Sequence, residues 1–179
     1  NYSTPYDMAL LMCYAMKNNV FREIVSSKNH FSETIDNQKL YFYNKHKLVQ
    51  RYEYVIGGKT GYTEKSGRTL ISYASKDNMD LVCVTFKSNN DWNEHMSLID
   101  NGFKEYHMKS VISSGIIRVS KDYKVTPYLK SSITLPLKKS EKPVVNVYLL
   151  KNPTGEVIGE LKVIIDNSVV YNENVYRYY

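Results

Sequence analysis

The sequence has no long hydrophobic run. No stretch of 18 apolar residues occurs in the 179 positions, which excludes a transmembrane helix within them. We expect no signal peptide within these residues, because the polar Asn1 is followed at once by a pattern typical of a helix. If the protein is exported, we expect its signal sequence to lie upstream of these residues.

Cysteine and metal-ligand patterns are also scarce. The two cysteines, Cys13 and Cys83, have no spacing that favours a disulfide, and Cys83 lies in the apolar run LVCVTF, where a buried free thiol is expected. Asp91 and His95 stand four residues apart; this spacing allows a metal pair, but a contact on a helix surface is favoured. The other histidines show no ligand spacing. The sequence therefore predicts no metal site.

The net charge of the chain is positive, but this charge does not indicate one kind of ligand. The formal net charge is +6 with a pI near 9.1, which suggests anionic ligands or surroundings and equally fits a basic soluble surface. The composition argues against disorder, because 42% of residues are hydrophobic and 13% are aromatic. These values indicate one or two folded domains.

Helical and extended patterns alternate in the first part of the chain. Thr4, Pro5 and Asp7 predict a helix start, and an apolar stripe follows at Met8, Leu11, Met12 and Ala15. A second short helix and a strand are predicted next, and positions 38–51 are predicted to be a loop. The runs GRTLISYAS and DLVCVTFKS predict a hairpin that turns at residues 76–78.

The second strand of this hairpin is apolar on both faces, which predicts a central position in a covered sheet. A helix that begins at Asp91 can cover one face of that sheet, through Trp92, Met96, Ile99 and Phe103. We expect the other face to lie open in the isolated chain.

The pattern of the sequence changes after Ser110. Short β-branched runs such as GIIRV, SITLPL and VVNVYLL recur between turn residues, and no helical period of useful length appears. This part has ten Lys/Arg and six Asp/Glu. The patterns predict an α+β fold with two domains, a helix-and-sheet domain over residues 1–109 and a small all-β domain over residues 110–179.

The stretch VIGGKTGYTEKSGR, residues 55–68, is the most informative part of the sequence. A phosphate-binding P-loop would need a glycine where Glu53 stands and a helix after Thr60, and neither requirement is met. The alternative is the K-T-G motif of penicillin-binding proteins and serine β-lactamases, here Lys59-Thr60-Gly61. Lys59 and Thr60 can both bind a carboxylate, and Gly61 allows a peptide to lie against the strand edge.

At this motif the sequence resembles the D-alanyl-D-alanine carboxypeptidases, the low-molecular-mass penicillin-binding proteins. The resemblance continues, in order, through NYSTPYDMALLMCYAMKN, FREIVSSK, YNKHKLV, GGKTGYT, SGRTLISYASKDNMDLVCVTFKS and DWNEHMSLIDNGF, and the β-rich tail resembles the C-terminal domain of that family. It implies that residues 1–109 form the C-terminal part of a penicillin-binding/serine β-lactamase-like transpeptidase domain. The antiparallel sheet would be covered by helices.

The resemblance implies which residues bind substrate. Lys59, Thr60, Gly61 and Tyr62 would hold a peptidoglycan stem peptide ending in D-Ala-D-Ala, or a β-lactam. Many relatives have an arginine near the start of the closing helix; none stands there in this sequence, and Arg68 is the candidate to assist the carboxylate. No cofactor, metal or nucleic acid is implied, and the expected location is extracytoplasmic, on the wall side of the cytoplasmic membrane.

The family's nucleophile motif, S-x-x-K, is absent from these residues, because no lysine has a serine three positions before it. We therefore expect no catalytic residue here and a nucleophile supplied by an upstream half of the same protein or by a companion chain. Two alternatives stay open. One is a non-catalytic module that binds the cell wall or a partner; the other is a relative of the serine β-lactamases, which the β-rich tail disfavours.

Overall fold

A computed structural model describes residues 2–179, which form two compact units, the first ending at Lys104 and the second spanning Glu105–Tyr179. The first unit contains helices and an antiparallel sheet. Its helices are α1 (Pro5–Ala15), α2 (Asn19–Ser26), α3 (Lys47–Arg51) and α4 (Asp91–Glu105), and its strands are β1 (Asn29–Glu33), β2 (Lys39–Tyr43), β3 (Val55–Thr63), β4 (Gly67–Lys76) and β5 (Met79–Phe86).

Helix α1 begins as the sequence predicts. The Asp7 amide donates to the Thr4 hydroxyl at 3.1 Å, and that hydroxyl donates to the Asp7 carboxylate at 2.9 Å. The buried stripe differs from the prediction: Met12 and Met16 are buried, whereas Leu11 is 56% exposed. The helix contacts the sheet along a narrow i, i+4 line, which leaves Leu11 outside it.

The segment 38–51 was wrongly predicted as a loop. Strand β2 lies there, paired antiparallel with β1 from Asn29↔Tyr43 to Glu33↔Lys39, and α3 follows. All five β2 residues are exposed, so no alternation of buried and exposed residues marks the strand. A turn with Asn37 at φ 61° precedes it.

Strands β3, β4 and β5 form a three-stranded antiparallel sheet in that order. The predicted hairpin is confirmed: β4 and β5 meet at Asp77 and Asn78, whose φ angles of 51° and 61° fit a type I′ turn. The prediction that β5 is central is wrong, because β4 is the middle strand and β5 is an outer strand in the part of the chain that the structure describes.

Helices cover both faces of this sheet, which explains why β5 has apolar residues on both of its faces. Helix α1 packs on one face, where Met12 and Met16 meet Ile71 and Tyr73, so the expectation of an open face there is wrong. Helix α4 lies on the other face, where a Cβ at Gly102 would come within 2.7 Å of Leu81. The α+β class with antiparallel sheets is confirmed.

The second unit consists of strands over its described residues, in agreement with the predicted all-β class. The strands are β6 (Tyr106–Ile112), β7 (Gly115–Ile116), β8 (Pro127–Leu129), β9 (Ile133–Lys138), β10 (Val144–Leu149), β11 (Val157–Ile165) and β12 (Ser168–Arg177). Five pair in the order β10-β11-β12-β8-β7, and β6 pairs with β9. The core contains Leu129, Ile133, Ile158, Leu161, Val163 and Val175. None of the helices described from residue 2 onward is long and apolar enough to cross a membrane.

Candidate functional site

The K-T-G motif lies on β3, an outer strand of the sheet. Lys59 is in register with Ile71 and Thr60 with Leu70, so the two side chains leave the strand on opposite faces. The Lys59 ammonium folds back and donates to the carbonyl oxygen of Thr60. A register shift between Val55 and Gly57 places a bulge just before the motif. The strand therefore presents its motif beyond a bulge, along an edge that no described strand covers.

Two glycines of this strand are required by close approach. A Cβ at Gly58 would come within 2.2 Å of the Ile71 carbonyl oxygen, and a Cβ at Gly61 within 2.4 Å of the Thr69 hydroxyl. The Ile71 carbonyl belongs to the main chain, so a larger residue at position 58 would push β3 away from β4, whereas a larger residue at position 61 would require the Thr69 side chain to rotate. The glycine-rich composition of the motif thus has a packing cause as well as a role at the strand edge.

The structure brings all five predicted site residues together. Lys59, Thr60, Gly61, Tyr62 and Arg68 line one open cleft of about 520 Å³. The cleft also includes Lys45, Asp91 and Trp92, to which the sequence analysis gave no site role. Three cationic side chains and one carboxylate make the cleft suited to an anionic ligand.

Arg68 is held in this cleft by Asp91. Its Nε donates to Oδ2 at 3.0 Å and its Nη2 to Oδ1 at 2.7 Å, a bidentate pair. Asp91 is 2% exposed and also accepts from the Trp92 amide at 2.9 Å, at the beginning of α4. The hydrogen bond from Arg68 to Asp91 raises the pKa of the guanidinium. The guanidinium lies 5.8 Å from the centre of the Trp92 ring.

The predicted surface contact between Asp91 and His95 is wrong. Both side chains are buried, with exposures of 2% and 0%, and they have different partners. Asp91 binds Arg68, whereas His95 Nδ1 lies 2.8 Å from the Ser72 hydroxyl and its Nε2 lies 3.0 Å from the Thr85 hydroxyl. The spacing of the pair is that of one helix face, but this face turns toward the sheet.

A buried polar chain lies beneath β3 and was missed by the sequence analysis. His46 Nε2 is 2.9 Å from the Ile71 carbonyl and 3.1 Å from the Ser72 hydroxyl, which in turn contacts His95. A serine in the middle of the apolar run TLISYAS was the available signal, because a buried hydroxyl needs a polar partner. The sequence did not show which side chains supply it.

Burial keeps both imidazoles neutral. It lowers the pKa of His95 to about 4, helped by His46 and opposed by Asp91 and Glu94. Burial also lowers the pKa of His46, against hydrogen bonding to the Ile71 carbonyl and the charge of Asp91. Ser72 and His95 have the spacing of a nucleophile and its base, but both have an exposure of 0%, so a substrate carbonyl cannot reach them.

The cysteines and the acidic residues do not form a further centre. Cys83 is a buried free thiol, as predicted, and burial with the nearby Glu94 raises its pKa to about 11, while Cys13 is exposed. Within residues 2–179, no group of three or more His, Cys, Asp or Glu side chains is placed to hold a metal ion. The cleft at the K-T-G motif is therefore the candidate site.

The first half of the chain is similar to known proteins. Residues 1–90 match the family model described as D-alanyl-D-alanine carboxypeptidase. The chain is 32% identical over 107 residues to D-alanyl-D-alanine carboxypeptidase DacB2 of Mycobacterium tuberculosis, covering 56% of this chain and 36% of that protein. It is 26% identical over 109 residues to D-alanyl-D-alanine carboxypeptidase DacF of Bacillus subtilis, covering 59% and 28%. The chain thus spans about a third of the length of these relatives.

A solved structure shares the fold over nearly the whole chain. Penicillin binding protein 5 from Haemophilus influenzae aligns with a TM-score of 0.73 at 20% identity, covering 99% of this chain and 56% of that one. At this identity the likeness concerns the fold alone. It includes the strand-rich second unit, which the family model does not reach.

Proposed function

This chain belongs to the D-alanyl-D-alanine carboxypeptidase family, and on that premise we propose that it supplies the K-T-G side of the active site in a serine-type D-Ala-D-Ala carboxypeptidase. The substrate is a peptidoglycan stem peptide ending in D-Ala-D-Ala. The supporting observation is that Lys59, Thr60 and Arg68 line one cleft. Among the residues that line this cleft, Asp91 is the single carboxylate.

The cleft binds the terminal carboxylate of the peptide. Lys59 turns its ammonium from the Thr60 carbonyl toward the ligand, and the Thr60 hydroxyl donates a second hydrogen bond. Arg68 adds its remaining N–H groups, because Asp91 occupies only Nε and one side of Nη2. Charge-assisted hydrogen bonds of this kind contribute about 1.5–3 kcal/mol each.

The strand edge aligns the rest of the peptide. β3 is an outer strand, and Gly61 and Tyr62 are exposed on it. An extended peptide that adds to this edge makes main-chain hydrogen bonds, with Gly61 leaving room for its backbone. The carboxylate contact and the strand contact together fix which carbonyl is presented to a nucleophile.

The nucleophile and its base come from a segment outside these 179 residues. The serine oxygen attacks the carbonyl carbon of the penultimate D-Ala, the C–N bond breaks, and the released amine takes a proton and leaves as D-Ala. Water then hydrolyses the acyl-enzyme ester and regenerates the serine hydroxyl. A β-lactam acylates the same serine, and the enzyme works on the wall side of the cytoplasmic membrane.

Intact-mass analysis tests the proposal. The protein carrying this chain together with its upstream segment is incubated with benzylpenicillin, and we expect one covalent penicilloyl adduct per molecule. Prior incubation with an excess of a D-Ala-D-Ala peptide should slow adduct formation. A protein that stays unmodified at saturating benzylpenicillin, while folded, would refute the serine carboxypeptidase proposal and favour a non-catalytic binding module.

A further inference from the structure

His46 begins a hydrogen-bonded chain whose direction is fixed by chemistry. Its Nδ1 lies 3.3 Å from the backbone N of Val49, at the start of α3, and a backbone N–H can only donate. Nδ1 is therefore the acceptor, and the proton of the neutral imidazole is on Nε2. That nitrogen lies 2.9 Å from the Ile71 carbonyl, which can only accept. Both ends of the ring require the same tautomer.

The same direction continues through Ser72 and His95. Ser72 Oγ accepts the same Nε2 proton at 3.1 Å, in a bifurcated hydrogen bond shared with the Ile71 carbonyl, so its own hydroxyl proton is free to donate to His95 Nδ1 at 2.8 Å. With Nδ1 as the acceptor, His95 carries its proton on Nε2 and donates to the Thr85 hydroxyl at 3.0 Å. The chain links α3, β4, α4 and β5, and the single Nε2 proton of His46 serves both the Ile71 carbonyl and the Ser72 hydroxyl.

The His46 ring also packs beside β3 just before the motif and beside one residue that lines the cleft. Its Nε2 lies 2.5 Å from the position of a Cβ at Gly58, the residue directly before Lys59. Its ring centre lies 5.4 Å from that of Trp92 in an edge-on arrangement, and Trp92 lines the cleft. One buried side chain therefore supports both the backbone that precedes the motif and the aromatic side of the cleft.

We propose that His46, oriented by Ser72 and His95, is a positioning residue for the site. Its Nε2–H holds β4 at Ile71 while its ring occupies the space that Gly58 leaves, and this fixes the path of β3 through Lys59 and Thr60. The same ring fixes Trp92. The identity of the ligand that the cleft binds rests on the proposed function. The positioning of the cleft by His46 does not depend on that function.

Histidine tautomers test the direction of the chain. Long-range ¹H–¹⁵N NMR spectra of the 179-residue protein at neutral pH should show His46 and His95 as Nε2–H tautomers. His30 and His107 are exposed and serve as internal references. A dominant Nδ1–H tautomer or an imidazolium at either buried position would overturn the proposal.

Two variants test the positioning. In His46→Asn the shorter side chain can still accept from the Val49 amide, because asparagine is a good N-cap, but it cannot span to Ile71 and Ser72. We expect amide exchange in β3 from Gly58 to Gly61 to become at least ~10-fold faster, with a smaller change in β4 and β5 near their turn. His30→Asn, on exposed β1, is the matched control and should change neither region.

Ser72→Ala provides the same test if His46→Asn does not fold, because it removes only the hydroxyl that joins the two rings. It should loosen Gly58–Gly61 selectively and change the Trp92 emission. Unchanged exchange at Gly58–Gly61, or an increase that is equal throughout the sheet, would overturn the positioning role. These readouts need no turnover, so a failure of the carboxypeptidase proposal in the penicillin assay is distinguishable from a failure here.

Discussion

Acid should destabilise the first unit through His95. In the unfolded chain this histidine has its ordinary pKa of about 6.5, whereas in the folded chain burial lowers the pKa to about 4. Between these values the unfolded state binds more protons, so stability is complete above about pH 6.5 and falls as the pH decreases toward 4. Below the folded pKa both states are protonated and this contribution levels off.

The size of the effect follows from the two pKa values. The full difference corresponds to about 3 kcal/mol, and about 2 kcal/mol of it is lost between pH 7 and pH 5. The lowered pKa of His46 adds a loss of the same sign. Since whole domains are stable by only about 5–15 kcal/mol, this loss is easily measured.

Urea unfolding at pH 7 and pH 5, followed by Trp fluorescence, measures the loss, because Trp92 is the single tryptophan. His95→Gln is the matched variant, since its amide oxygen can accept from Ser72 and its amide nitrogen can donate to Thr85. We expect the variant to lose more than half of the difference between the two pH values. A wild-type stability that does not change between pH 7 and pH 5, or a variant with an unaltered difference, would refute the reasoning.

Two further substitutions test the packing of the site. Asp91→Asn removes a charged partner from the half-exposed Arg68 and should lower the free energy of unfolding by about 1–2 kcal/mol in the urea assay; an unchanged midpoint would contradict the pair's role. Gly58→Ala should lower the free energy of unfolding by at least about 2 kcal/mol, because the new Cβ meets the Ile71 carbonyl. The control is Gly155→Ala, where no atom lies within 4 Å of the new Cβ, and it should lower the free energy of unfolding by less than about 0.5 kcal/mol. Equal losses in the two variants would contradict the close approach at Gly58.

The parts of the site that could be predicted are those that depend on local sequence. Lys59, Thr60 and Gly61 are adjacent, and Arg68 follows on the next strand of a hairpin, so strand pairing alone brings Arg68 level with Tyr62. The turn at Asp77 and Asn78 was equally local. Such features need only the two-residue period of a strand and the residue preferences of a turn.

The missed parts depend on contacts between distant segments. His46 and Ser72 are 26 residues apart, and neither has a local pattern that shows it to be buried. Strand β2 has no buried residue to mark it. Both faces of β5 are apolar because helices cover them, and coverage of the faces does not show whether a strand is central or outer in its sheet. Composition shows that a segment is covered but not what covers it.

The central claim is that Lys59 binds the carboxylate that the enzyme recognises. In the protein that carries this chain with its upstream segment, the direct measurement is the acylation rate by benzylpenicillin for Lys59→Ala, with exposed Lys39→Ala on β2 as the control. Loss of one preorganised charged donor should lower the rate by ~30- to 1000-fold, about 2–4 kcal/mol, with the control unchanged. Acylation of Lys59→Ala at the wild-type rate would contradict the account.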